Sequence, residues 1–179
     1  MRVIGGSARG RTLKGPTRSG TRPTSDLVRE VLFELIAAHC AEPVRVLDLY
    51  SGTGALGIEA LSRGAERCDF VEADAKACAV IRENLARTGM LDRAKVYPLA
   101  VAKALARLEG PYDLVVADPP YEYDRAEAEL RLLIEAGLLA PEGALAVEHS
   151  KRHPWPEALA GREQLLVRRH GDTGITIYR

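Results

Sequence analysis

The sequence predicts an α/β fold: a mostly parallel seven-stranded sheet with an antiparallel C-terminal strand, preceded by a small N-terminal hairpin and a helix. Two patterns carry this expectation. β-rich runs alternate with helix-periodic runs from residue 44 to residue 148, and the last two β-rich runs follow one another through a short turn. Alternation implies crossover connections, hence parallel strands covered by helices on both faces. A short turn implies antiparallel neighbours. A chain of 179 residues is the size of one domain, and 46% of it is apolar, enough to build a core.

Residues 2–4 and 11–13 are expected to pair as a hairpin across Gly5, Gly6 and Gly10. Pro23 sets up a helix start, with Thr24 or Ser25 as its cap and Asp26 in the positive first turn. Leu27, Val28, Val31, Leu32, Leu35 and Ile36 then make one apolar face at helical spacing, and Pro43 ends the unit. Residues 44–50 read as a buried first strand, broken by Gly52 and Gly54, with a helix running to about residue 64. Residues 68–72 are the second strand. Asp74 caps the next helix, where Cys78, Ile81 and Leu85 line one side and Gly89 is the C′ residue. Residues 95–99 form a short third strand interrupted by Pro98, and residues 112–117 the fourth. A helix with Leu130, Leu133 and Ile134 on one face follows, then strands over 144–148, 165–168 and 175–178, the last two joined by a turn at 171–174.

The 25 Lys and Arg residues balance 25 Asp and Glu, yet residues 1–25 hold Arg2, Arg9, Arg11, Lys14, Arg18 and Arg22 and no acid. That segment is +6, and the remaining 19 cations against 25 acids give −6. A glycine-rich basic arm on an acidic domain points to a phosphate-bearing partner, the alternative being a solvated tail. Hydrophobicity this high without net charge excludes a disordered chain. No stretch reaches the roughly 18 apolar residues of a membrane helix. The first residues show no apolar signal core, so a cytoplasmic protein is expected. Cys40, Cys68 and Cys78 are odd in number and have no C-x-x-C spacing, which fits reduced thiols rather than disulfides or zinc. His39, His149, His153 and His170 have no ligand spacing, so no metal is expected.

In parallel sheets of this kind ligands bind beyond the carboxyl ends of the strands. The first strand end reads Asp48-Leu49-Tyr50-Ser51-Gly52-Thr53-Gly54-Ala55-Leu56-Gly57, a literal G-x-G-x-x-G. That pattern alone says only that the backbone turns tightly and a ligand comes close. Asp48 narrows the choice. An acid there repels a pyrophosphate but suits a ligand with an ammonium, such as S-adenosylmethionine, whose carboxylate loop N–H groups around Ser51, Gly52 and Gly54 would receive. Glu72 lies 20 residues after Gly52, at the end of the second strand, where such folds place the acceptor for ribose hydroxyls. The third strand ends in Pro98-Leu99-Ala100-Val101 with no acid or amide, so an adenine there would rest on backbone groups and apolar packing, Val101 included.

The fourth strand runs directly into Asp118-Pro119-Pro120-Tyr121. Two prolines stop the strand and fix φ, holding their carbonyls rigidly toward the cleft. An Asp118 oxygen and the Pro119 carbonyl then form a pair of acceptors for one exocyclic NH2 group, and Tyr121 a surface on which its base stacks. An aromatic amine is a poor nucleophile because its lone pair is delocalised. Two fixed acceptors favour the pyramidal, reactive nitrogen, a case of electrostatic preorganisation.

These motifs resemble the class I S-adenosylmethionine-dependent methyltransferases that modify exocyclic amines of bases. The chain is most similar to the bacterial 16S rRNA guanine-N2 methyltransferases of the RsmD type. The likeness rests on Arg2-Val3-Ile4-Gly5-Gly6 with Arg9-Gly10-Arg11, on Arg22-Pro23-Thr24-Ser25-Asp26-Leu27-Val28-Arg29-Glu30-Val31-Leu32-Phe33, on Gly57-Ile58-Glu59-Ala60-Leu61-Ser62-Arg63-Gly64 after the glycine loop, and on D-P-P-Y. It covers most of residues 2–150. Tyr121 stands where the family also uses Phe, and the C-terminal third adds little. The resemblance implies a Rossmann-like methyltransferase domain over residues 25–179 and a basic extension over residues 1–24. It implies S-adenosylmethionine as cofactor and one guanine N2 of small-subunit RNA as target, within an assembling subunit, and a monomeric enzyme. By the same likeness Arg22 and Thr24 flank the cofactor, while Arg9, Arg11, Lys14 and Arg22 meet RNA, in keeping with the charge count. An adenine-N6 methyltransferase acting on DNA or RNA remains the alternative, since its pocket chemistry is nearly the same. A nucleotide-binding oxidoreductase and a non-catalytic RNA-binding module are the readings from other classes, and Asp48 with D-P-P-Y opposes both.

Overall fold

The computed structural model describes residues 1–16 and 25–179, so the expectations for Arg18, Arg22, Pro23 and Thr24 lie outside the described residues. Ser25 caps the first helix, its hydroxyl accepting the Val28 N–H at 3.1 Å, and the helix (α1) runs Asp26–His39. Its buried face differs from the expected one. Val28, Arg29, Leu32, Phe33 and Ile36 point inward, whereas Leu27 is 50% exposed. Apolarity alone rotated the stripe toward Leu27, because Arg29 reads as a surface residue; in the fold it is fully buried against Glu59.

Five parallel strands follow, β1 (Arg45–Leu49), β2 (Arg67–Val71), β3 (Ala94–Tyr97), β4 (Tyr112–Ala117) and β5 (Leu139–Ser150). Helices α2 (Ala55–Ser62), α3 (Ala75–Thr88), the short α4 (Val101–Ala104) and α5 (Ala126–Glu135) connect them. Asp74 caps α3 by accepting the Lys76 N–H at 2.7 Å, and Gly89 ends it in the left-handed region, both as the spacing predicts. The C-terminal strands are β6 (Ala158–Leu159), β7 (Arg162–His170) and β8 (Thr173–Tyr178). The sheet order is β3-β2-β1-β4-β5-β8-β7-β6, with β8 antiparallel to both β5 and β7. This is a Rossmann-like arrangement, as the resemblance implies. The seven expected strands are present, and the two-residue β6 makes an eighth. Strand β5 begins five residues earlier than expected, because turn signals at Pro141 and Gly143 mask a segment that β4 receives through an irregular register.

Two apolar clusters cover the sheet. Val46, Phe70, Leu114, Val116, Ile175 and Ile177 face α1, α2 and α3. Leu47, Leu49, Val115, Val147 and Tyr178 face the side of α5, meeting Leu130 and Leu133. The N-terminal residues join the first cluster through Val3, Ala8 and Leu13. Their hairpin closes on a single Arg2–Thr12 antiparallel bridge and is pinned to α2: the Ile4 and Gly5 N–H groups both donate to the Glu59 carboxylate at 2.8 Å, and the Ala8 N–H to the Ser62 hydroxyl at 2.9 Å.

Candidate active site

Strand alternation sets the first part of the site. Val46 and Asp48 of β1 point to the face that α2 covers, and Leu47 and Leu49 to the other. The chain then reverses within five residues. Tyr50, Gly52 and Gly54 have φ of 56°, 55° and 78°. At Gly54 a side chain would be both strained and about 3.1 Å from Ile81 Cγ2. Gly57 meets a different constraint: an added Cβ would lie 2.3 Å from the Phe70 ring, so α2 presses directly on β2 only because no side chain intervenes. Left-handed φ at a tyrosine costs on the order of 1 kcal/mol or more. The Tyr50 hydroxyl is anchored by donating to Glu129 Oε2 at 2.6 Å, while Tyr123 donates to Glu129 Oε1 at 2.8 Å and sets its ring edge-on to Tyr50 at 5.9 Å. Burial, helped by the bond to Glu129, pushes the Tyr50 phenol far up.

Asp48 is 1% exposed. Its Oδ2 accepts the Gly57 N–H at 2.8 Å, while Oδ1 is buried without a partner among the described residues. Burial pushes this carboxyl up to about 8, the Gly57 N–H opposing and the charges of Asp118 and Glu72 adding to the rise. A buried acceptor left unmade costs about 1–3 kcal/mol. An ammonium would displace the carboxyl proton and satisfy the free oxygen, whereas a pyrophosphate brings no donor to it. The cradle therefore fits the amino-acid end of S-adenosylmethionine.

Glu72 directly follows β2 and braces the loop, its Oε2 accepting the Gly52 N–H and its Oε1 the Asp74 N–H, both at 2.8 Å. Each oxygen keeps a lone pair for a ligand. The Ser51 hydroxyl is turned inward onto the Asp48 carbonyl at 2.6 Å, with the Val71 carbonyl at 3.2 Å, so it ties the ends of β1 and β2 together. Val101 opens α4 beyond β3 and is buried.

The second part of the site sits on the neighbouring strand. Leu49 of β1 is opposite Ala117 of β4, and the Asp118 N–H reaches the Leu49 carbonyl at 3.5 Å. Asp118 is half-buried, Pro119 buried and Pro120 exposed. The Pro120 carbonyl closes the turn by accepting the Tyr123 N–H at 2.8 Å. Tyr121 is 40% exposed, and its hydroxyl lies 3.1 Å from Thr173 Oγ1 at the start of β8.

The basic arm reaches the same region from α3. Lys14 donates its N–H to Asn84 Oδ1 at 2.7 Å, and the Asn84 amide donates to the Lys14 carbonyl at 3.1 Å and to the Thr53 carbonyl at 3.0 Å. Fully buried Asn84 thus joins the arm to the glycine loop, a role that no spacing in the sequence announces. Arg9 is exposed, Arg11 donates to the Arg87 carbonyl at 2.8 Å, and Lys14 Nζ pairs with Glu83 at 2.6 Å. The buried Arg29–Glu59 pair beneath the arm was likewise missed, its only signal being a charge inside an apolar stripe.

A family profile described as "Conserved hypothetical protein 95" matches residues 1–179. Ribosomal RNA small subunit methyltransferase D of Escherichia coli (strain K12) is 37% identical over 156 residues, 87% of this chain and 78% of that protein. The protein of the same name in Haemophilus influenzae is 32% identical over 182 residues, 100% of this chain and 92% of that one. The solved structure of yhhF from Escherichia coli superposes with a TM-score of 0.86 at 34% identity, covering 99% of this chain and 96% of that one. With a full-length profile match and the same topology, the chain belongs to the Conserved hypothetical protein 95 family, alongside the ribosomal RNA small subunit methyltransferase D proteins.

Proposed function

We propose that this protein transfers a methyl group from S-adenosylmethionine to the exocyclic N2 of a guanine in 16S rRNA of the small ribosomal subunit. The observation that carries the reading is the pair of adjacent strand ends: buried Asp48, with an oxygen that has no partner among the described residues, beside Asp118-Pro119-Pro120-Tyr121. The likeness to ribosomal RNA small subunit methyltransferase D proteins supports the substrate class. Bound S-adenosylmethionine supplies an electrophilic methyl group on a sulfonium sulfur.

Asp48 takes the ammonium of that cofactor, and N–H groups of the loop through Ser51, Gly52 and Gly54 take its carboxylate. Glu72 accepts ribose hydroxyls with the lone pairs its loop bonds leave. Val101 walls the adenine, and Arg22 and Thr24 complete the cofactor side. Tyr121 stacks on the target base, which must be flipped out or already unpaired. Asp118 and the Pro119 carbonyl accept the two amine hydrogens, hold the nitrogen pyramidal and aim its lone pair. Much of the acceleration is positioning. The amine's proton leaves to Asp118 or to water, and no strong base is needed. Arg9, Arg11, Lys14 and Arg22 neutralise RNA phosphates; the exposed partners of Arg11 and Lys14 are weak enough to be exchanged. We place the reaction in the cytoplasm, on an assembling subunit, with a monomeric enzyme made of a basic extension over residues 1–24, whose cations meet RNA, and a methyltransferase domain over residues 25–179.

A tritiated-methyl assay on undermodified small subunits, free 16S RNA and duplex DNA tests this, followed by nucleoside analysis of the product. N2-methylguanosine on small-subunit RNA is the expected outcome. Label on adenine N6 would replace the guanine reading, and no transfer to any RNA would overturn it.

A further inference from the structure

A second concavity lies on the far side of the Pro-Pro turn. Its volume is about 150 Å³, and its walls include Pro120, Tyr121, His149, His153 and Trp155, with Asp124 on the side of α5. Asp48, Glu72 and Asp118 do not line it, whereas Pro119, Pro120 and Tyr121 do, so it adjoins the cleft in which the amine would react and shares the Pro-Pro turn with it. A space of this order accepts a six-membered aromatic ring.

The walls are built rather than incidental. His149 is buried and its Nε2 lies 2.9 Å from Thr176 Oγ1. Its ring occupies the space beside Gly174, where an added Cβ would lie 2.4 Å from His149 Cε1. The Trp155 ring packs 6.4 Å from His149 at 46°, half-buried on the second apolar cluster. Tyr121 is held from the opposite side by its hydroxyl contact with Thr173. Rigid aromatic faces next to a polar rim are what a stacked base needs.

The rim is basic on one side. Lys151, Arg152 and His153 follow β5 and are exposed, and Arg169 at the end of β7 shares the register of His149 through Gly174. Burial and the nearby Arg169 charge together hold the His149 imidazole below its ordinary value. Lys151 shares its charge with Asp172 at 2.9 Å in an exposed pair. Asp124 on the opposite wall offers only acceptors, which suits a base edge bearing N–H donors.

We infer that this groove is a second nucleotide subsite, seating the base that adjoins the methylated guanine between Trp155 and the Tyr121 face that the target base leaves free, with Arg152 and Arg169 taking the flanking phosphates. The inference rests on the proposed RNA substrate. It adds a specificity contact on the side of the catalytic turn remote from the basic arm.

Trp155 is the single tryptophan of the chain, so its emission reports the groove directly. A dye-labelled single-stranded RNA oligomer centred on the target guanine should quench that emission at the concentration at which anisotropy shows binding. Placing an abasic site at one adjoining position should remove the quenching and weaken binding about tenfold. In turnover on undermodified subunits, Trp155→Leu should raise KM about tenfold with kcat within about twofold, and Trp155→Phe should restore KM. Binding without quenching, an indifferent abasic oligomer, an oligomer that does not bind, or an unchanged KM in Trp155→Leu would each overturn the subsite. The wild-type methyl-transfer assay stands apart from these readouts. Transfer with an unaltered Trp155 signal rejects the groove alone, whereas absence of transfer rejects the underlying function.

Discussion

β1 and β4 are neighbours, and each ends near an aspartate on the same face of the sheet, yet the two carboxyls live in opposite environments. Asp48 is sealed beneath α2, bonded to one backbone N–H, with its second oxygen waiting for a cation and its affinity for a proton pushed up to about 8. Asp118 stands half-buried at an open turn whose geometry is set by two prolines. On the proposed reading the first holds the positive end of the cofactor, whose charge stabilises the carboxylate that burial alone disfavours. On the same proposed reading, partial exposure leaves the second open to a planar substrate. A shared fold position therefore does not imply a shared role; α2, whose Gly57 N–H bonds the Asp48 carboxylate, makes the difference.

Substitutions should separate the two ends. Asp118→Ala should lower kcat about 10²–10³-fold while leaving the calorimetric affinity for S-adenosylmethionine within about twofold. Equal losses in both would merge the two ends into one cofactor site. Asp48→Ala should do the reverse, weakening cofactor binding by about 10- to 100-fold through loss of a charge-assisted bond. In the wild type, cofactor binding near pH 7 should release close to one proton, because Asp48 is protonated before an ammonium arrives. Calorimetry in buffers of different ionisation enthalpy measures that proton; a heat independent of buffer would remove Asp48 from the ammonium site.

The same carboxyl sets a stability trend in the ligand-free protein. Its folded pKa of about 8 lies above the ordinary 3.8, so the fold holds a proton that the unfolded chain releases. Stability from this group is therefore lost as pH rises between those values, by at most about 1.4 kcal/mol per pH unit. Asp48→Asn should flatten the decline in denaturant midpoint between pH 5 and pH 8. Glu72→Ala should weaken cofactor binding about tenfold. Unchanged affinity would limit Glu72 to bracing Gly52. The smallest change is expected far from both aspartates: replacing Arg9, Arg11 and Lys14 with Ala should reduce the slope of log affinity for RNA against log salt by about 2. An unaltered slope would make the arm a packed extension with no RNA contact.

Much of this was legible locally. The fourth strand falls on residues 112–117 as read, and Ser25, Asp74 and Gly89 bound their helices as capping chemistry requires. The glycine loop and D-P-P-Y land at the carboxyl ends of adjacent strands, where a parallel sheet places its ligands. Most of the unread features depend on partners distant in sequence. Arg29 turns inward because Glu59 lies opposite, Asn84 bridges Lys14 to Thr53, and Tyr50 keeps a left-handed backbone because Glu129 anchors it. The two-residue β6 is the local exception: it pairs with β7 across a turn at Ala160 and Gly161 and is too short to show an alternating pattern.

By itself the sequence determined the alternation of strands and helices, the places where the chain must turn, and the two chemical groupings at strand ends, because each follows from periodicity, backbone freedom or side-chain type within a few residues. Tertiary structure alone decided which acid is sealed and which is open, how the basic arm is tied to the glycine loop, and that an aromatic groove flanks the Pro-Pro turn. Burial and hydrogen bonding between remote segments set those properties, and they arise only when the layers pack.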